Sequence, residues 1–305
     1  MNAIFLPAQR AFKWNVFWIG LALYLAAAIA GIPLARTMQP LAQGESRLAR
    51  VSLELGQYLL VGVLSLGVGL WLGGRIGLGA PFIQGWVEKA PVWDRLRGVL
   101  SLSLFVAIIG SLAMLAFGLV LTVVVVALGI VPLDAMAEAG AWTESYPALW
   151  KWFLVSISAG VTEEVAFRLG LMTLLAWLGS LVCRDDSGQP RAAVLWIANI
   201  LAALVFGAAH LGGIIPVPLT PVFIVRTVAQ NAIVGTALGR LYWRRGLESA
   251  VLTHFLFDVV TYVVVLPTLQ SSSPLLMVCT LVGLILASVI SWRQFVRRPR
   301  KGAGE

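Results

Sequence analysis

Residues 192–211 read AAVLWIANILAALVFGAAHL, twenty consecutive positions without a formal charge. A helix of that length is about 30 Å long, the thickness of a bilayer's hydrocarbon core. Arg191 bounds the run on one side, and Gly212, Gly213, Pro216, Pro218 and Pro221 cluster on the other. Working outward, further apolar runs of spanning length occur near 15–35, 52–72, 99–125, 148–180, 222–243, 248–267 and 274–292. With 192–211 they predict an all-α, polytopic membrane bundle of about eight transmembrane helices. The composition agrees. Hydrophobic residues make up 59% and charged residues 12%, against roughly a quarter charged in soluble domains, and the mean hydropathy is +0.90. A soluble globule cannot hide that much apolar surface, and a disordered chain needs the opposite balance.

Twenty-two basic against fourteen acidic residues give a net charge of +8. The placement of those charges points to membrane topology rather than to nucleic acid. Arg10 and Lys13, then Arg75, Lys89, Arg95 and Arg97, then Arg184 and Arg191, then Arg244 and Arg245 fall in alternate connections. Arg293, Arg297, Arg298, Arg300 and Lys301 fill the tail. The intervening segments 134–147, 212–221 and 268–273 contain no base, and only Arg36, Arg47 and Arg50 dissent. The positive-inside rule therefore predicts both termini in the cytosol. The first run is longer than a signal peptide's apolar core of about 7–15 residues, which favours an uncleaved anchor. Cys183 and Cys279 make neither a disulfide framework nor a metal spacing. The expected organisation is N-terminal transmembrane helices with an interfacial connector (75–97, anchored by Trp86 and Trp93) over 1–147. A helical core over 148–292 and a basic tail over 293–305 complete it, in a multi-pass protein expected in a bacterial inner membrane.

An ionisable group inside a span costs at least about 2.5–3.5 kcal/mol, so each one asks for a reason. Glu163 and Glu164 lie well inside the run 148–180, followed by Arg168. On a helix Glu164 and Arg168 are four apart and can pair, while Glu163 is turned away by about 100° and stays free. A buried ion-pair network of all three is the structural alternative. The chain's two histidines both fall in apolar runs, in Phe206-Gly207-Ala208-Ala209-His210 and His254-Phe255-Leu256-Phe257-Asp258. Asp258 can hold His254 by one ring nitrogen, leaving the other for a water, a substrate or a metal. A hairpin at 184–191 would set Glu163 opposite His210. His254, seven residues after Leu247, stands only about 10 Å above its own turn. The three meet only if the 184–191 hairpin reaches further out than the 244–247 turn. Small residues beside His210 invite close approach of another backbone. Arg226, Gln230 and Asn231 in the run 222–243 read first as polar glue between helices, with a substrate or oxyanion contact by Asn231 as the functional alternative. Glu54 is assigned no role.

His-Glu-x-x-His, Gly-x-Ser-Gly, Gly-x-Gly-Asp and P-loop motifs are all missing from the chain. That disfavours zincin-like, rhomboid-like, intramembrane aspartic and nucleotide-driven chemistry.

Taken together, Glu163-Glu164-x-x-x-Arg168, Phe206-x-x-x-His210 and His254-x-x-x-Asp258 resemble the CPBP family of intramembrane proteases. That family includes CAAX prenyl endopeptidases and Abi-type proteins. The stretch Leu238-Gly239-x-Leu241-Tyr242 is similar as well, and the resemblance covers about residues 148–267. It implies an intramembrane endopeptidase acting on a membrane-associated peptide or protein, prenylated in the CAAX case, with membrane lipid as its surroundings. It makes Glu163 the base that activates a water and His210 the holder of that water. His254 and Asp258 become oxyanion-stabilising groups, with Glu164, Arg168, Phe206 and Asn231 in support. A divalent metal such as zinc on Glu163, His210 and His254 and a metal-free glutamate mechanism fit the same residues equally. Two other classes compete: a non-catalytic membrane peptide-binding or bacteriocin-immunity protein, and a proton-coupled transporter. The latter is disfavoured because the chain has no repeated halves.

Overall fold

The computed structural model describes residues 11–38, 41, 44–130, 146–212, 220–271 and 273–297. Most of the acidic 134–147 segment lies outside the described residues, as do Arg10, Gly213, Pro216, Pro218, Arg298, Arg300 and Lys301.

The described residues form nine helices and no strand. They are α1 (Trp14–Met38), α2 (Arg47–Ile76), the short α3 (Pro81–Val87), α4 (Trp93–Ala127), α5 (149–180), α6 (Ala192–Ala209), α7 (Pro221–Arg245), α8 (Leu247–Gln270) and α9 (Pro274–Val296). All but α3 and α5 are long and apolar enough to cross a membrane. α5 has the length but carries Lys151, Glu163, Glu164 and Arg168. The eight long rods coincide with the eight apolar runs, and the chain is an integral, multi-pass membrane protein.

Local chemistry sets where the helices begin and turn. Ser46, Thr220 and Ser273 each accept a hydrogen bond from a backbone N–H three residues on, and Pro221 and Pro274 open α7 and α9. Gly246, at φ 93°, makes the single-residue turn between α7 and α8, and a Cβ there would stand 2.2 Å from Pro81 Cδ. Only glycine meets both the positive φ and the contact.

Long helices in lipid gain nothing from burying leucine against leucine, so close packing relies on small residues. A Cβ on Gly69 would meet the Leu169 carbonyl oxygen at 2.3 Å, joining α2 to α5. On Gly207 it would meet the Val228 carbonyl oxygen at 2.5 Å, joining α6 to α7. Asn199 adds an interhelical hydrogen bond from Nδ2 to the Thr236 carbonyl, 3.0 Å. Glu54, left without a role by sequence, pairs with Arg36 at 2.8 Å where α1 and α2 approach. Both cysteines are free.

Two rods are not uniform. α5 is α-helical over Leu149–Glu164, opens into a π-helix over Val165–Met172 and closes again over Thr173–Ser180. α8 does the same, with its π-segment over Val259–Val265. Each π-segment begins directly after a carboxylate, Glu164 in α5 and Asp258 in α8. Such widened turns concentrate at functional sites.

Candidate active site

Glu163 and Glu164 stand near the middle of α5, at the last α-turn before its π-segment. The 100° between them separates their surroundings completely. Glu164 is fully buried and lies 3.2 Å from Arg168 Nε, itself only 1% exposed. The two are close but misaligned, so the contact is an ion pair without a proper hydrogen bond. Arg168 also donates from Nη2 to the Gly235 carbonyl at 3.3 Å, and its guanidinium lies 4.5 Å from the Phe206 ring centre.

Glu163 faces the other way and stays about one-third exposed. Its Oε2 is buried without a hydrogen-bond partner and sits 3.9 Å from Nε2 of both His210 and His254. Both imidazoles are held from behind. His210 Nδ1 lies 2.8 Å from the Phe206 carbonyl oxygen, which can only accept, so Nδ1 carries the proton and a neutral ring keeps its lone pair on Nε2. His254 Nδ1 lies 2.9 Å from Glu164 Oε1. The Phe206 ring packs against both histidines, with centres at 4.7 Å and 5.9 Å, and against Phe167 at 5.3 Å. One aromatic residue thus braces every cationic or imidazole group of the site.

Here the structure corrects the expectation from spacing. The carboxylate that holds His254 from behind is Glu164, ninety positions away in sequence, rather than Asp258. Asp258 lies 3.7 Å from His254 Nε2, on the same side as Glu163. Asn231 does not join the cluster. Its amide donates to the Thr227 carbonyl of its own helix at 2.9 Å, and Arg226 Nε reaches Gln230 Oε1 at 3.3 Å. The helix supplies partners for these groups without a substrate.

The heights agree because the α5–α6 and α7–α8 turns differ. The α5–α6 hairpin is exposed at its tip, Arg184–Gly188, whereas Gly246 and Leu247 are buried. Leu247 N donates to the Gly79 carbonyl at 3.0 Å. Glu248 Oε1 accepts from Phe82 N and Ile83 N at 2.9 Å and 2.8 Å, capping α3 from 165 positions away. Sequence reasoning passed over Glu248. Its position in the first turn of a span was the available signal, since an acid there needs a partner. In the exposed hairpin, the Ser187 hydroxyl and then the Gln189 N–H hold the Asp185 carboxyl below its ordinary range.

A metal on Glu163, His210 and His254 can be tested against these distances. The donor types suit zinc, and each histidine has the backing partner such ligands use. Ligands on one zinc at about 2.0–2.2 Å would, however, lie nearer together than 3.9 Å. Among the described residues no three His, Cys, Asp or Glu side chains are gathered closely enough to hold an ion. As arranged, the set does not fit a metal. Two atoms 3.9 Å apart can instead both touch one water at about 2.8 Å. Two cavities lie between the helices, one of about 420 Å³ among α1, α2, α3, α5 and α8 and one of about 260 Å³ among α4, α7 and α8. Neither is lined by Glu163, His210, His254 or Asp258.

The segment that builds this site also matches a known family. Residues 145–260 fit the family model described as type II CAAX prenyl endopeptidase Rce1-like. That segment is similar to the Rce1-like family. The match runs from just before α5 to just after Asp258, so it contains Glu163, Glu164, Arg168, Phe206, His210, His254 and Asp258, and the resemblance drawn from their motifs holds. No curated protein and no solved structure matches the chain.

Proposed function

We propose that the chain is an intramembrane endopeptidase in which Glu163 is the general base of a CAAX-type peptide hydrolysis. The observation that carries this reading is the unpartnered Glu163 Oε2, equidistant from two imidazoles whose other nitrogens are already occupied. An orphaned carboxylate oxygen between two Nε2 atoms is costly as architecture and useful as a water site.

In the proposed reaction a water sits between Glu163 Oε2 and His210 Nε2. Glu163 takes one of its protons as the oxygen adds to the scissile carbonyl carbon. His254, protonated on both ring nitrogens, donates from Nε2 to the oxyanion that forms, and Asp258 steadies the positive charge of the imidazolium. The C–N bond then breaks, Glu163 returns its proton to the departing amine, and the carboxylate is restored. Glu164 and Arg168 are positioning residues. Their pairing holds the Glu164 carboxyl in place against His254 Nδ1, which fixes the ring's direction. No step requires a metal.

The test is a cleavage assay on the full chain in lipid, with prenylated and unprenylated peptides ending in a CAAX sequence as substrates. Glu163→Gln keeps the volume and removes the base, so turnover should fall by at least about 100-fold, with expression and melting behaviour unchanged. Wild-type turnover in a well-folded Glu163→Gln protein would sink the assignment. Retention of peptide binding in that variant, with no cleavage by the wild type, would favour a binding protein instead.

A further inference from the structure

One turn of α7, outside the histidine cluster, leaves three buried N–H donors without an acceptor among the described residues: Arg240 Nη1, Trp243 Nε1 and Arg244 Nε. Positions 240, 243 and 244 share a helical face. The Arg240 guanidinium lies 4.5 Å from the Trp243 ring centre and 5.5 Å from that of Trp196 on α6. Arg244 lies over Trp243 at 5.1 Å, and the two tryptophans meet edge to face at 5.6 Å. Among the described residues no carboxylate forms an ion pair with either arginine. Next to them Arg245 lies over Phe295 of α9, which adds a third cation to this end of the helix.

Topology alone does not account for this. A charge that only orients a span needs to be near the headgroups, with its donors in water. Here two half-buried cations and an indole each have one covered donor left unmet, and each such donor carries a desolvation cost. A single anion bearing several oxygens would meet all three. Above the cluster, α6 continues as an exposed apolar stripe through Ile197, Ile200, Leu201 and Leu204, each more than two-fifths exposed. A charged head beside arginines and tryptophans with hydrocarbon lying along an apolar helix is the layout of a phospholipid.

We infer that Arg240, Trp243 and Arg244, with Trp196, form a binding site for the phosphate of an anionic phospholipid whose acyl chain lies along α6. The site stands on the same end of the bundle as the buried Gly246 turn. It therefore clamps the end of α7 against the start of α6, the helix whose far end carries Phe206 and His210.

The test uses the purified full chain in neutral detergent, with palmitoyl-oleoyl-phosphatidylglycerol and the matching phosphatidylcholine as probes and native mass spectrometry to count bound lipid. The wild type should retain the phosphatidylglycerol on the order of tenfold more tightly. Arg240→Gln/Arg244→Gln should remove that preference, while Arg184→Gln on the exposed hairpin should leave it intact. Equal retention of both lipids by the wild type, or an unchanged preference in the double variant, overturns the site. Displacement of the lipid by millimolar inorganic phosphate would overturn the lipid assignment and leave a phosphate-ion site. If the double variant does not fold, the wild-type melting temperature decides: a rise with phosphatidylglycerol alone supports the site, and an equal rise with both lipids refutes it.

Discussion

Replacing Glu164 by leucine isolates the energetics on which the site rests. Arg168 is 1% exposed, and among the described residues the carboxylate that forms an ion pair with it is Glu164, 3.2 Å away. At an effective dielectric of about 20, two unit charges at that distance attract by about 5 kcal/mol. The desolvation of both ions offsets much of this in the intact protein, so the pair contributes little net stability. Breaking it is another matter. Glu164→Leu strands a buried guanidinium with the Gly235 carbonyl and the Phe206 face as its remaining partners, and should cost about 3–5 kcal/mol. Glu164→Leu/Arg168→Met removes the stranded charge and fills the space with apolar atoms. The remaining loss is then His254 Nδ1 without its acceptor, about 1–3 kcal/mol. Both variants lose that acceptor, so the double variant should be more stable than the single one by the cost of the stranded charge, about 3–5 kcal/mol, and still inactive because His254 is no longer aimed. Unfolding by SDS titration in mixed micelles, followed by far-ultraviolet circular dichroism, measures all three proteins on one scale. A double variant as unstable as Glu164→Leu would refute the reasoning, since the cost would then lie in packing around α5 rather than in an uncompensated charge. A double variant with wild-type activity would remove Glu164 from the positioning of His254.

Other consequences follow from single contacts. Gly207→Ala sets a Cβ 2.5 Å from the Val228 carbonyl oxygen; forcing α6 and α7 apart should cost about 1–3 kcal/mol and lower turnover by displacing His210, measured in the same titration and in the peptide assay. Glu248→Ala deletes the acceptor for Phe82 N and Ile83 N, and limited proteolysis should then cut the 77–92 connector at a protease level the wild type survives. Asp185 is held below its ordinary range by Ser187 and Gln189. The order it lends the hairpin is therefore complete above about pH 4 and lost as the pH falls through its depressed value. Amide exchange at Ser187 and Gln189 should accelerate over that acid range in the wild type and be independent of pH there in Asp185→Asn, after correction for the intrinsic rate.

The membrane and the helices were legible in the chain because they depend on local quantities. Twenty uncharged residues at 192–211 specify a spanning helix wherever they lie. The intervals of four between Glu164 and Arg168 and between Phe206 and His210 specify which residues share a helical face. The same arithmetic set Glu163 apart from its neighbour, and the Gly207 side of His210 did receive a closely approaching backbone. Tertiary structure decided which partner each group takes. Four-residue spacing offered His254 to Asp258, but helix packing brings Glu164 across from α5 at 2.9 Å and leaves Asp258 facing the opposite nitrogen. Asn231 had no such visitor and bonded back to its own helix. The π-segments after Glu164 and Asp258 and the burial of the Gly246 turn beneath the connector left no local trace either. Each depends on contacts between residues far apart in sequence, and periodicity along one helix does not report the rotation or depth at which another helix meets it.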